Sequence, residues 1–127
     1  MRSIRVLMLR MPIMLRQILR SIVADAPGVG AVVELPEHDL HSPDLLESRP
    51  DLVIVAAEEA DEKEVAALLW RCRRLRVLAV RSDGTSGFLY EMTPHRTRIE
   101  ELSRDAVTKA VLRTVTDPQM PITGSGV

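Results

Sequence analysis

Aromatic residues are scarce in this sequence, which has one Trp, one Tyr and one Phe among 127 residues. The core must therefore be built from aliphatic side chains, since hydrophobic residues still make up 46% of the chain. Single-stranded nucleic acids are held largely by bases stacked on aromatic rings. The scarcity of rings therefore argues against a nucleic-acid partner, and we expect none.

Cysteines and long apolar runs are also scarce. The single cysteine, Cys72, excludes an internal disulfide and fits a reducing compartment. No apolar run reaches the roughly 18 residues that a membrane span needs, and the run at 4–9 contains Arg5 and is too short for a signal-peptide core. The formal net charge of -1 gives no overall field that would attract polyanions. We therefore expect a cytoplasmic protein without a membrane partner.

Hydrophobic patterning predicts strands that alternate with helices. Strands are predicted over 4–9, 29–35, the apolar run after Pro50, 77–80 and 88–92. A first helix begins at Pro12, and its inward stripe has the helical spacing i, i+3, i+4, i+7. The members of this stripe are Leu15, Ile18, Leu19, Ile22 and Val23.

Three further helices are predicted from their start signals. Ser42-Pro43-Asp44 opens a short helix before Pro50, and Asp61 with Glu64 forms a capping box for the next helix. Thr93-Pro94 offers the same combination of N-cap and first-position proline, so a last helix is predicted from there to about Val115. Residues 116–127 contain two prolines and two glycines and are predicted to be a flexible tail.

These elements predict one α/β domain over residues 1–115. We expect a flavodoxin-like three-layer α/β/α sandwich with a mainly parallel sheet of about five strands in the order 2-1-3-4-5. The loop 81–87 is too short for the crossover helix that a parallel connection needs. The fifth strand is therefore predicted either to pair antiparallel as a hairpin or to lie loosely at the edge.

Reactive chemistry is missing where such a fold usually places it. Working groups project from the carboxyl ends of the strands, and the third strand delivers Ala56 and Ala57 there, followed by Glu58 and Glu59. The acidic pair can either hold Mg²⁺ or stabilise the start of the following helix, and the helix role is favoured because neighbouring strand residues point apart.

Two loops carry groups that can bind a ligand. The loop 82–87 can cradle an anion with its backbone N–H groups or serve as a plain hairpin turn, which is favoured. The loop 37–41 carries His38 and His41 with acidic neighbours, and a solvated loop is favoured over a metal site because two histidines three residues apart need a helical turn to converge. We predict no metal site and no cofactor.

The order of the motifs resembles the receiver domain of bacterial response regulators. The resemblance runs from residue 4 to about 115 and depends on Ile-Arg-Val-Leu-Met-Leu at 4–9 followed by Pro12, on Arg-Pro-Asp-Leu-Val-Ile-Val at 49–55, and on Gly-Thr-Ser-Gly-Phe-Leu-Tyr-Glu at 84–91. It implies the receiver fold and a role in bacterial signal transduction.

The same resemblance shows a departure at each chemical position. In the family, an acidic pair after the first strand binds Mg²⁺, an aspartate ending the third strand accepts phosphate, a Thr or Ser ends the fourth and a lysine ends the fifth. The matching positions hold Arg10 and Met11, Ala56, Arg81 and Glu91. The resemblance therefore implies a pseudo-receiver that cannot be phosphorylated, and we expect no enzymatic activity.

Two functions follow as hypotheses. The first is a protein–protein interaction module that binds a partner or a second copy of itself through an exposed strand edge or face, with Phe88, Tyr90 and Met92 as the interaction residues. The second is a sensor of a small anionic ligand or nucleotide at the carboxyl edge of the sheet, because arginines replace an acid and a hydroxyl there. Its residues are Arg10, Glu58, Glu59, Arg81, Ser82 and Gly84.

Overall fold

A computed structural model describes residues 3–92, 95–99 and 102–116 of the chain. These residues form six strands and three α-helices, and β4, β5 and β6 follow one another without an intervening helix. The strands are β1 (Ile4–Met8), β2 (Val29–Glu34), β3 (Leu52–Ala56), β4 (Arg76–Val80), β5 (Gly87–Glu91) and β6 (His95–Ile99). The helices are α1 (Ile13–Asp25), α2 (Glu62–Arg71) and α3 (Arg104–Thr116), with 3₁₀ helices at Leu45–Ser48 and Ala57–Glu59.

The strands form one mixed sheet in the order β2-β1-β3-β4-β5-β6. The first four strands in this order are parallel, as predicted for strands joined by crossover segments. The predicted order of five strands was wrong because a sixth strand follows the fifth. The outer strands of the described sheet are therefore β2 and β6, and β5 lies inside it.

The end of the sheet is antiparallel. β5 pairs antiparallel with β4, which confirms the hairpin alternative for the short loop, and β6 pairs antiparallel with β5. The turn is closed by the Arg81 N–H, which donates to the Ser86 carbonyl at 2.9 Å. A six-residue connection at 81–86 leaves no room for a crossover helix, so the chain reverses direction instead.

The predicted start of the last helix was wrong. Residues 95–99 form β6, and α3 begins only at Arg104. The hydroxyl of Ser103 accepts the Ala106 N–H at 3.1 Å, which is the N-cap contact that had been expected from Thr93. Thr93 and Pro94 themselves lie outside the described residues. Ile99 does not distinguish a strand from the predicted helix, because an apolar residue fits both the end of a short strand and the first turn of an amphipathic helix.

The helix starts show a second, smaller difference. The side chain of Asp61 accepts the Lys63 N–H at 2.9 Å, so it caps α2 as predicted. The predicted partner in a capping box, Glu64, instead contacts the ring of His41, with 2.6 Å between His41 Nε2 and Glu64 Oε2. The prediction that Glu64 completes a capping box was therefore wrong, while the predicted start of α2 after Asp61 is confirmed.

Two apolar clusters bury the sheet. The first joins alternate strand residues to α1 and α3, and the second joins the other strand residues to α2 and the segment around Leu45. Four of the five predicted inward residues of α1 are buried, but Ile18 is wrong, since 56% of it is exposed. The α2 residues Val65, Leu68 and Leu69 are buried as predicted.

The described residues include no helix that is long and apolar enough to cross a membrane. The predicted flexible tail at 116–127 lies outside the described residues except for Thr116, which ends α3.

Candidate functional site

The carboxyl end of β3 presents an alanine rather than a reactive group. Ala56 is 3% exposed and is followed directly by the 3₁₀ helix Ala57–Glu59. A methyl group offers neither a metal ligand nor a nucleophile at the point where the parallel strands end. The chemistry available at this edge therefore depends on the residues that surround Ala56.

Glu58 and Ser82 meet at this edge. The Ser82 hydroxyl donates to Glu58 Oε1 at 2.8 Å, and the Ser82 N–H donates to Glu58 Oε2 at 3.3 Å. The Ser82 hydroxyl lowers the pKa of Glu58 below its ordinary value of 4.5, because the hydrogen bond favours the ionised carboxylate. Two of the residues predicted to bind a ligand thus bind each other.

The loop 82–87 uses much of its own donor capacity. Besides the Ser82 N–H, the Gly84 N–H donates to the Arg81 carbonyl at 2.8 Å and the Thr85 N–H donates to Asp83 Oδ1 at 3.0 Å. Gly84 takes a positive φ of 75°, a conformation that glycine adopts at low cost. A cradle for anions needs several convergent N–H groups that have no other partner. This loop is built as a closed hairpin turn.

The remaining residues predicted for the anionic site lie in different surroundings. Arg81 is exposed and lines a groove together with Glu58. The guanidinium of Arg10 donates to the Glu37 carbonyl at 3.3 Å, in the segment that follows β2. Glu59 is exposed. The structure thus brings Glu58, Ser82 and Arg81 together and directs Arg10 towards the loop after β2.

A groove lies beside Arg81 at this edge. Its volume is about 310 Å³, and apolar groups form most of its wall. It is lined by Ala57, Ala60, Ala79, Phe88 and Tyr90, with Glu58, Glu62 and Arg81 as charged members. The three alanines were not predicted as site residues. Small residues near the ends of β3 and β4, beside a short loop, would have indicated open space on that face of the sheet.

The aromatic pair gives the groove its character. The rings of Phe88 and Tyr90 lie side by side, with centroids 6.4 Å apart and planes tilted by 48°. They are the only Phe and the only Tyr in the chain, and both are half-buried. Met92, the third predicted interaction residue, is partly buried against the same apolar cluster. The structure therefore places the three predicted residues on one face of the sheet, not on a strand edge.

The connection between β4 and β5 contributes no helix over this groove. Ala57, Ala60, Ala79 and Tyr90 belong to the cluster covered by α2, whereas α3 covers the opposite face at Leu89 and Ile99. A parallel connection between β4 and β5 would place a crossover helix on one face of the sheet. Because a six-residue turn replaces that connection, no helix from it covers the face around Phe88 and Tyr90.

Glu91 lies away from this edge. Since β5 is antiparallel to β4, its last residue is at the amino edge of the parallel strands, opposite Ala56. There Glu91 contacts Arg76 Nε at 3.2 Å and Arg113 Nη2 at 3.0 Å, and Arg76 Nη1 also donates to the Arg113 carbonyl at 2.8 Å. Glu91 therefore joins β5 to β4 and α3 and has no access to the carboxyl edge.

The histidines of loop 37–41 contact acids one at a time. His38 lies 3.4 Å from Asp44, and His41 contacts Glu64 on α2. Within residues 3–92, 95–99 and 102–116, no group of three or more His, Cys, Asp or Glu side chains is arranged to hold a metal ion. These contacts tie the loop to the 3₁₀ segment and to α2.

Comparison of the chain with protein-family models, with curated proteins and with solved structures gave no match.

Proposed function

We propose that this chain is a receiver-like protein-interaction module that holds a helix of a partner protein in the groove over β4 and β5. The single observation that carries this proposal is the pairing of the chain's only Phe and only Tyr in a half-covered groove. Aromatic residues dominate the binding energy of protein interfaces, because they bury large areas with few rotatable bonds.

The shape of the groove favours a helix as the bound element. The connection between β4 and β5 contains no helix, so an amphipathic helix of a partner with an apolar stripe can cover the sheet here. The small side chains of Ala57, Ala60 and Ala79 allow close approach. Glu58, Glu62 and Arg81 line the same groove and supply charges of both signs for orienting the helix.

A receiver-like, three-layer arrangement is the finer description of the fold that goes with this proposal. It is supported by the parallel core β2-β1-β3-β4 and by helices that contribute to apolar clusters on both faces. The antiparallel β5 and the added β6 distinguish this chain from a regular receiver. A bacterial and cytoplasmic setting stays a prediction.

The side chains at the carboxyl edge support a non-enzymatic role as part of this proposal. Ala56 cannot form an acyl phosphate, and the carboxylate of Glu58, two residues further along the chain, accepts a hydrogen bond from Ser82. The alternative function, a sensor of anions at this edge, has less support because the N–H groups of Ser82, Gly84 and Thr85 already have partners. The interaction module needs no free donors at this edge.

The test fills the groove without removing any core side chain. Ala60 lines the groove and is only partly buried, so Ala60→Arg places a long side chain where the partner helix is expected. Ala66→Arg adds the same side chain at an exposed position of α2 and serves as the control. Each protein is immobilised and exposed to extract of the source cells, and retained proteins are identified by mass spectrometry.

We expect one protein to be retained by the unchanged chain and by Ala66→Arg, and lost with Ala60→Arg. Retention of the same proteins by all three chains would refute the groove as the binding surface. Light scattering of the purified chain over a concentration series shows whether the partner is a second copy, in which case self-association should also disappear in Ala60→Arg.

A further inference from the structure

A second concave surface lies at the opposite end of the sheet. It is an open cleft of about 650 Å³ at the amino ends of β1, β2 and β3. The crossover from β2 to β3 contains only the short 3₁₀ helix Leu45–Ser48, so it covers less of the sheet than a full helix would. The amino-edge cleft, as we call it, is lined by Arg5, Gly30, Ala31, Arg49, Asp51 and Arg74, with Ser3, Ile4, Glu47 and Ser48.

Three guanidinium groups from three separate parts of the chain line this cleft. Arg5 comes from β1, Arg49 from the turn before β3, and Arg74 from the loop before β4. Each guanidinium carries five N–H donors in a planar fork that matches the oxygens of phosphate and carboxylate groups. One guanidinium nitrogen of Arg5 donates to the Ser48 carbonyl at 3.1 Å, and one of Arg74 donates to Asp51 at 3.2 Å.

Asp51 lines the cleft and holds Arg5 and Arg74 in place through its two carboxylate oxygens. Asp51 is 5% exposed, and its Oδ2 accepts the Arg5 N–H at 2.9 Å while its Oδ1 accepts from Arg74. A buried carboxylate that is hydrogen-bonded on both oxygens fixes the position of the Arg74 side chain. The other acid of the lining, Glu47, is exposed. The arginines therefore outnumber the exposed acid.

The backbone conformation of Arg49 independently supports a functional role for this cleft. Its φ of 55° and ψ of 59° lie in the left-handed region, and it is the only residue other than glycine with positive φ among those that the structure describes. Glycine or asparagine adopts this conformation at lower cost, whereas other residues lose roughly 1 kcal/mol or more. Unfavourable backbone conformations cluster at functional sites. An arginine side chain at this position therefore suggests a role for its charge.

The floor of the cleft is small and close-fitting. A Cβ added to Gly30 would lie 2.6 Å from the Cβ of Ser3, so the close approach of β1 and β2 requires glycine there. The pairing of these strands shifts register between Ile4 and Arg5, next to the cleft. Ala31, which pairs with Arg5 in the sheet, adds a second small residue to the lining of the cleft.

We propose that the amino-edge cleft binds a small multivalent oxyanion through Arg5, Arg49 and Arg74. This site is separate from the groove over β4 and β5 and does not depend on the proposed partner helix. It also places anion binding at the end of the sheet opposite to the sensor site predicted from sequence. At the carboxyl edge the loop donors already have partners, whereas here Arg5 donates to Ser48 through one guanidinium nitrogen and Arg49 lines the cleft as an exposed residue.

The experiment is a titration of the full chain, labelled with ¹⁵N, with pyrophosphate and separately with citrate, at constant ionic strength. Amide shifts map the site, and the two anions distinguish a phosphate from a carboxylate ligand. Arg49→Asn removes one guanidinium at a position whose backbone suits asparagine. Lys63→Gln removes one positive charge at an exposed position of α2 that lines neither concave surface, and it is the matched control.

We expect saturable shifts at Gly30, Ala31, Ser48 and Arg49 with at least one of the two anions. The affinity should fall about tenfold or more in Arg49→Asn and stay within about twofold in Lys63→Gln. The amide spectra of both variants, recorded without anion, verify that they fold. The absence of saturable shifts with both anions would overturn the proposal, as would an equal loss of affinity in the two variants, which would show only a response to net charge.

Discussion

Replacing Glu91 by alanine should cost this protein a large part of its stability. The Glu91 side chain is 10% exposed and its two oxygens contact Arg76 and Arg113 at 3.2 and 3.0 Å. Arg76 is 7% exposed, so the variant leaves a buried guanidinium without its carboxylate. Breaking a buried ion pair by removing one partner costs about 3–5 kcal/mol. Domains of this kind have about 5–15 kcal/mol of stability in total.

The assay is urea unfolding at pH 7, followed by circular dichroism. We expect Glu91→Ala to lose about 3 kcal/mol or more, and roughly 10 °C in melting temperature. Glu59→Ala removes an exposed carboxylate and should stay within about 0.5 kcal/mol of the unchanged protein. The double variant Arg76→Met with Glu91→Leu should recover most of the loss, because apolar replacement of a buried pair is often neutral. A loss below about 1 kcal/mol in Glu91→Ala would refute the reasoning.

Three further predictions concern the turn, the hairpin and the last helix. In Ser82→Ala, the pKa of Glu58 should rise towards its ordinary value of 4.5, and NMR titration of the Glu58 carboxyl measures this change. Because the pKa is lowered in the folded protein, the contact stabilises the protein above about pH 4.5, and this stabilisation is lost as the pH falls. A titration unchanged by the substitution would remove Ser82 as the cause. Gly87→Ala should cost about 1–3 kcal/mol in chemical unfolding, because its Cβ would lie 2.5 Å from the Ala79 carbonyl oxygen, and a neutral result would mean that β4 and β5 do not approach as described. Ser103→Ala should lower the stability by about 1 kcal/mol in thermal unfolding, because the N-cap of α3 is lost. If Ser103→Ala loses no stability while Thr93→Ala does, the helix start predicted from sequence is correct instead.

The parallel part of the fold could be predicted because local signals and tertiary packing agree there. Ile4–Met8 and Leu52–Ala56 are apolar runs bounded by Pro12 and Pro50, and they form central strands. The helix α1 shows both the success and its limit, since Leu15 and Leu19 are buried while Ile18 is exposed. A stripe of five apolar residues is wider than the surface that the sheet offers to this helix.

The end of the chain was predicted less well because two patterns compete there. Thr93-Pro94 has the composition of a helix start, but residues 95–99 pair with β5. This pairing is a tertiary contact that the local composition at 93–99 does not predict. Tertiary pairing then overrides local propensity. The added strand also moved the free edge of the sheet from β5 to β6.

The candidate sites were predictable in part. The short loop 81–86 predicts that a crossover helix is missing, and the groove beside Phe88 and Tyr90 is its consequence. The amino-edge cleft could not be predicted, because Arg5, Arg49 and Arg74 are far apart in sequence and converge only through the pairing of β3 with β1 and with β4. The burial of Asp51 likewise depends on its contacts with Arg5 and Arg74.

Photo-crosslinking in the source cells tests the interaction groove most directly. A benzophenone side chain in place of Tyr90 lies in the groove, and the same side chain in place of the exposed Trp70 on α2 is the control. We predict that one protein is crosslinked from position 90 and not from position 70, with the attachment site in a helix of that protein. No adduct from position 90, or the same adducts from both positions, would contradict the groove as the binding surface.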